Sequence, residues 1–194
     1  MPSEAGVRGV VEAAARKGVE LHVVTFAQST RTAQQAADAV GAEVGQIVKS
    51  LVFVGSRAER LQAYLALVSG ANTVDPERLA AALGEPRVRR ATAEEARQLT
   101  GFAIGGIPPF GHAEPLQTVM DHDLGRFTVV WAAAGTANSV FAVPPATLRA
   151  LANASIAPIC HELPAGNPPM AARTGETVQP AGERAATLPA PPTR

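Results

Sequence analysis

The sequence predicts an α+β fold built on a mixed or antiparallel sheet, and three observations carry that prediction. Short segments rich in β-branched and apolar residues are mixed with helices, without the regular strand-helix-strand rhythm of a doubly wound sheet. Most helices are bracketed by their own cap and stop residues. The 194-residue chain is 46% hydrophobic, but 39 of its 90 hydrophobic residues are alanine, so its large apolar side chains supply one core rather than two.

The elements follow in order. Val7, Val10, Val11 and Ala14 recur at helical spacing, with Gly18 as the stop. Glu20–Phe26 reads as a strand. Thr30 or Thr32 caps a helix that runs through Val40, with Ala33, Ala36, Ala37 and Val40 on one face and Gly41 behind it. Gln46–Gly55 and Leu61–Ser69 form an antiparallel hairpin across a charged turn. Asp75 and Pro76 open a helix that Gly84 closes. Arg87–Arg90 is a short strand, and the capping box Thr92–Glu95 starts a helix reaching Leu99. A Gly/Pro-rich loop, Gly101–His112, precedes strands at Gln117–Asp121, Arg126–Ala132 and Ser139–Val143. A last helix holds Pro144 and Pro145 in its first turn. From Pro164 onward the chain carries seven of its 16 prolines and no aromatic residue, too little apolar surface to offset the entropy of ordering. The expected folded domain is residues 4–163, followed by a Pro/Ala-rich disordered tail over 164–194.

Composition excludes several functions. A formal net charge of zero argues against a broad electrostatic grip on duplex DNA, though not against contact with a short nucleic-acid end. The longest apolar stretches, such as Ile47–Val54, fall far short of the roughly 20 residues that span a bilayer. Glu4, Arg8 and Glu12 interrupt the run a signal peptide would need. A cytoplasmic protein with no membrane partner is expected. Cys160 is the sole cysteine, which excludes an intrachain disulfide and a cysteine-based zinc site.

Only two of the 17 basic residues are lysines. Lys17 reads as a helix-end cation near a C-terminal dipole. Lys49 sits on a strand whose two faces are both apolar, since Ile47, Leu51 and Phe53 share its side and Val48, Ser50 and Val52 the other. A buried ammonium needs an anion, a wet cavity or a route to solvent, and the competing reading is an edge-strand lysine that snorkels. Gly105-Gly106-Ile107-Pro108-Pro109-Phe110-Gly111-His112 combines permissive glycines with two stiffening prolines, which suits either a ligand-facing wall or a structural turn. It is neither a Walker loop nor a dinucleotide fingerprint. Ala133–Ser139 reads as a small polar hairpin loop. His112, Asp121, His122 and Asp123 show no metal-ligand spacing. Ser69-Gly70-Ala71-Asn72 lacks the flanking glycines of a nucleophile elbow, and Cys160 has only His161 beside it as a partner for thiol chemistry.

Taken in order, the helix end Ala37–Gly41, the strand Gln46–Phe53, the helix DPERLAAALG, the loop TGFAIGGIPPFGH and the strand ending in Met120-Asp121 resemble the YbaK/aminoacyl-tRNA deacylase family over about residues 20–155. That family includes the editing domain inserted in bacterial prolyl-tRNA synthetases and its free-standing relatives. The resemblance implies a mixed, barrel-like sheet flanked by helices. It implies a free-standing aminoacyl-tRNA deacylase that hydrolyses the ester of mischarged tRNA, with Ala-, Cys- and Ser-tRNA(Pro) as candidates. Lys49 matches the family's functional lysine, and Gly105 to Pro109 match its G-x-x-x-P loop. The implied binding residues are Gly105 through His112 with Ser50, Thr32, Gly135, Thr136, Ser139 and Asp121, and Phe26, Val68 and Ser69 are further lining candidates. The resemblance also implies that water attacks the carbonyl with help from backbone groups and the terminal ribose hydroxyl, so that no protein nucleophile is required, and no metal or organic cofactor is expected. The implied partners are the tRNA 3′ acceptor end carrying a wrong amino acid and, secondarily, an aminoacyl-tRNA synthetase. The competing function is a non-catalytic module that binds aminoacyl-tRNA, nucleotide ends or a synthetase.

Overall fold

The computed structural model describes residues 2–27, 30, 32–55 and 61–161; the expected tail over 164–194 lies outside them. Helix α1 (Pro2–Ala15) leads into the short strand β1 (Val23–Thr25). Helix α2 (Ala33–Val40) is capped by Thr32, whose hydroxyl accepts from the Gln35 N–H while Gln35 reaches back to the Thr32 N–H, a complete capping box. Strands β2 (Val48–Gly55) and β3 (Gln62–Ser69) form the expected antiparallel hairpin, with Lys49 opposite Val68 and Ser50 opposite Leu67. Helix α3 (Pro76–Leu83) starts at Asp75, whose carboxylate accepts from the N–H groups of Glu77 and Arg78, and ends at Gly84 with φ 70°. Strand β4 (Val88–Arg90), helix α4 (Ala93–Thr100), strand β5 (Gln117–Asp121), strands β6 (Val130–Thr136) and β7 (Ser139–Val143), helix α5 (Pro145–Ala152) and strand β8 (Ser155–Ala157) follow among the described residues.

The α+β class is observed, with mixed pairing. Five strands lie in the order β4-β2-β3-β5-β8, antiparallel on one side of β3 and parallel on the other. Three more form the antiparallel sheet β1-β7-β6. The parallel bridge Ile47–Trp131 joins the two sheets, which do not close into a barrel. Three sequence expectations change. Residues His122–Arg126 form a 3-10 turn, so β6 starts at Val130 and continues to Thr136. The supposed loop Ala133–Ser139 therefore reduces to the two-residue turn Ala137-Asn138. Strand β8 was not foreseen. Lys17 does lie near a helix C-terminus, but its ammonium donates to Ala150 O (3.1 Å) and Leu151 O (2.8 Å) at the end of α5, binding the two ends of the fold together.

Strand β3 is the centre of the core. Its alternate side chains serve two clusters: Leu65 and Leu67 pack with Val52, Val54, Met120 and Phe141, while Tyr64, Ala66 and Val68 pack with Phe53, Val119 and the α3 residues Leu79 and Leu83. Leu65 is completely buried. Leu65→Ala is expected to cost ~2–5 kcal/mol in denaturant unfolding, against less than ~0.5 kcal/mol for Leu61→Ala at the exposed residue just before β3.

Candidate active site

A cavity of about 230 Å³ opens between α2, the first half of β2, the Ile104–Ile107 loop and the β6–β7 hairpin. That is somewhat below the roughly 300–1,000 Å³ typical of drug-sized ligands, and it suits a small group. Its wall is largely apolar, with Ala36, Val40, Val48, Trp131 and Val140. Of the residues expected from sequence, the cavity gathers Thr32, Lys49, Ser50, Gly105, Ile107 and Thr136.

Close backbone packing shapes this wall. A Cβ at Gly106 would lie 2.7 Å from the carbonyl carbon of Thr136, so the loop rests directly on the hairpin. At Gly135, φ is 93° and a Cβ would lie 2.8 Å from Gly6 C, which lets β6 touch α1. The turn is tied to the entry of α2: Thr30 N–H (2.9 Å) and Thr30 Oγ1 (3.1 Å) both donate to Ala137 O, and Asn138 Nδ2 donates to Phe26 O at 2.9 Å.

Lys49 and Ser50 leave β2 on opposite faces. Val48 and Val52 share Ser50's face and point into the first core; Leu51 and Phe53 share that of Lys49 and point into the second. The Lys49 ammonium is half-buried and donates to Gly70 O (3.1 Å) and Asn72 O (2.5 Å). Two of its three donors are thus engaged, and burial pulls its pKa below the ordinary 10.5. Ser50 Oγ is buried with no hydrogen-bond partner among the described residues.

Several expected site residues lie elsewhere, each for a physical reason. Pro108, Pro109 and Phe110 are buried behind the loop, and Phe110 packs edge-on against Phe141 at 5.7 Å. Gly111 abuts α1. Ser139 is buried and shares a 3.0 Å hydrogen bond with Thr25. Val68 belongs to the second core, and Ser69 Oγ donates to Gly45 O at 2.8 Å. Asp121 is fully buried and accepts from the N–H groups of Asp123 (3.1 Å) and Ile159 (3.0 Å), a structural role that leaves it away from the cavity wall. Cys160 is also buried, and burial together with Asp121 pushes its thiol up to about 12, which ends its candidacy as a nucleophile. Sequence reasoning missed Thr30, Trp131 and the rim residue Arg90 as lining groups. Trp131 carried a usable signal, as the chain's only tryptophan in a predicted strand.

His112 packs edge-on against Phe102 (5.8 Å), and burial lowers its pKa from the usual 6.5 to about 4. Above pH 6.5 the ring is neutral in both folded and unfolded chains. Between 6.5 and about 4 the unfolded chain takes up a proton that the folded protein refuses, so stability falls on acidification through that window. Thermal melts should show this loss, and His112→Gln should flatten it.

The family model of the aminoacyl-tRNA editing domain matches residues 27–151, which span the cavity and the loop that closes it. The chain belongs to this editing-domain family. Among solved structures, a candidate trans-editing enzyme for prolyl-tRNA synthetase is 49% identical, covering 81% of this chain and 98% of its own, with a TM-score of 0.74. The uncharacterized protein YwhH of Bacillus subtilis is 33% identical over 129 residues, 66% of this chain and 80% of its own. A candidate Cys-tRNA(Pro)/Cys-tRNA(Cys) deacylase, EbsC of Enterococcus faecalis, is 25% identical over 152 residues, 75% of this chain and 91% of its own. No helix among the described residues is long and apolar enough to cross a membrane. The editing-domain match places Lys49, Ser50, Gly105, Ile107 and Thr136 all within the family's own span.

Proposed function

We propose that the protein is an aminoacyl-tRNA deacylase, which hydrolyses the ester joining a small, wrong amino acid to the 3′ end of tRNA and acts in trans to prolyl-tRNA synthetase. The observation that carries this reading is the small, largely apolar cavity lined by Lys49 and Ser50 of one strand, where the Ser50 hydroxyl is buried without a partner among the described residues. Likeness to a candidate trans-editing enzyme and a candidate Cys-tRNA deacylase supports the substrate class.

In the reaction, water adds to the ester carbonyl, the bond from that carbon to the ribose oxygen breaks, and the water proton ends on the departing ribose hydroxyl. Lys49 contributes a fixed positive charge that lowers the cost of the negative charge developing on the carbonyl oxygen. Ser50 offers a hydrogen bond to the aminoacyl group. The Gly105–Ile107 loop, stiffened by Pro108 and Pro109, holds its backbone against the substrate with little reorganisation. The apolar walls set a size limit on the aminoacyl group. A separate site for this task has a physical motive, since one methylene gives a synthetase only ~1–3 kcal/mol of discrimination.

The test is a panel of Ala-, Cys- and Ser-tRNA(Pro) alongside Pro-tRNA(Pro). Accelerated loss of at least one mischarged ester, with the prolyl ester spared, is expected. Binding across the panel without turnover would instead identify a non-catalytic tRNA-binding module.

A further inference from the structure

We infer that Asn72, Asp123 and Asp121 are positioning residues for Lys49, forming a hydrogen-bonded relay that fixes the two carbonyls on which its ammonium rests. The activity part of this inference rests on the deacylase reading above. A lysine ammonium on a flexible four-carbon stem is not held in place by its own rotamers, and a functional group needs support to stay within about 0.5 Å of its working position. Here the support is the turn Gly70–Asn72, which accepts from Lys49 through two backbone oxygens.

That turn is fixed from behind. Asn72 is 5% exposed, and its Nδ2 donates to Asp123 Oδ2 at 2.8 Å. Asp123 N–H donates to Asp121 Oδ1 at 3.1 Å, and the other oxygen of Asp121, a residue with no solvent exposure, accepts from Ile159 N–H at 3.0 Å. The segment containing Ile159 is in turn zipped to the residues after the turn: Asp75 N–H donates to Ile159 O (2.9 Å) and His161 N–H to Thr73 O (3.0 Å). The chain of contacts therefore runs from the ammonium through Asn72 and Asp123 to the end of β5 and the residues after β8. The Asn72 amide is buried and the Asp123 carboxylate partly so, and a hydrogen bond to an ionised acceptor is shorter and stronger than one between neutral groups, so the pair specifies the geometry of the turn.

The experiment is a reciprocal exchange. Asn72→Asp sets two carboxylates against each other and is expected to lower kcat by about 10-fold or more with KM within twofold. The double variant Asn72→Asp/Asp123→Asn restores one amide and one carboxylate and is expected to recover kcat to within about threefold of wild type. Asn72→Ser, which removes the amide without adding charge, serves if the aspartate variant fails to fold, and should show a smaller loss of the same kind. Since the chain has two lysines, lysine-selective 13C labelling gives one signal for each. The Lys49 ε-CH2 signal should move in Asn72→Asp and return in the exchange, while Lys17 stays put. Wild-type kcat in the single variants, or a Lys49 signal that ignores them, overturns the inference. If wild type deacylates nothing in the panel, the functional reading fails and the lysine signals alone decide this one.

Discussion

Lys49→Ala is expected to reduce ester hydrolysis by ~10²–10³-fold, the range for losing one preorganised electrostatic group at a reacting carbonyl. The same substitution removes the donor to Gly70 O and Asn72 O. Buried acceptors left unpaired cost ~1–3 kcal/mol, so a modest loss of stability should accompany the loss of rate. The two effects separate in Lys49→Met, which keeps the apolar stem against the second core and removes only the charge and its donors. Its melting temperature should lie between those of Lys49→Ala and wild type, while its rate should match that of Lys49→Ala. Single-turnover deacylation and thermal melts on the same preparations measure both quantities. A rate that followed stability rather than charge would assign Lys49 to the scaffold alone.

Gly106→Ala is the second large effect. The new Cβ would meet Thr136 C at 2.7 Å, Thr136 Cα at 2.8 Å and Ala137 N at 3.0 Å, all backbone atoms that no rotamer change can move. Either the loop lifts off the hairpin or the hairpin shifts, and both border the cavity. Overpacking of this kind costs ~1–3 kcal/mol. A displacement of about 1 Å at a positioned reaction costs ~10²-fold in rate. A folded variant with rate reduced ~10–10²-fold is expected, checked by deacylation alongside a melting curve. Gly105→Ala presents a different obstacle: its Cβ would have room, with Ala137 Cβ at 3.7 Å, but φ is 89°. There the cost comes from the backbone conformation rather than from collision.

Local chemistry was legible wherever one residue decides the outcome. Asp75, Thr92 and, with Thr30 as the alternative, Thr32 were visible as helix caps because capping needs only a side-chain oxygen within three residues of the N–H groups that donate to it. Lys49 was visible because a charge on an apolar strand is out of place under the period-two pattern. The three-residue strand β8 was not, since its pairing with β5 depends on a neighbour that sequence spacing does not reveal. The same gap left the placement of Asp121, His112 and Ser139, outside the cavity wall, unreadable from sequence. Each is polar and near a suggestive motif, but which side of its loop or strand meets the cavity depends on how two sheets are joined at Ile47 and Trp131. Ser50 was named as a lining residue. That its hydroxyl is buried without a partner among the described residues emerges only when α2 and β6 are placed around it.

The most direct measurement is the single-turnover rate of ester loss from Ala-, Cys- and Ser-tRNA(Pro), with wild type and Lys49→Met side by side and both checked for folding. The expected result is a rate well above spontaneous hydrolysis for wild type on at least one of these esters, and a rate near the spontaneous one for Lys49→Met. Equal rates for the two proteins, or no acceleration on any ester, would contradict the assignment of deacylation to this cavity.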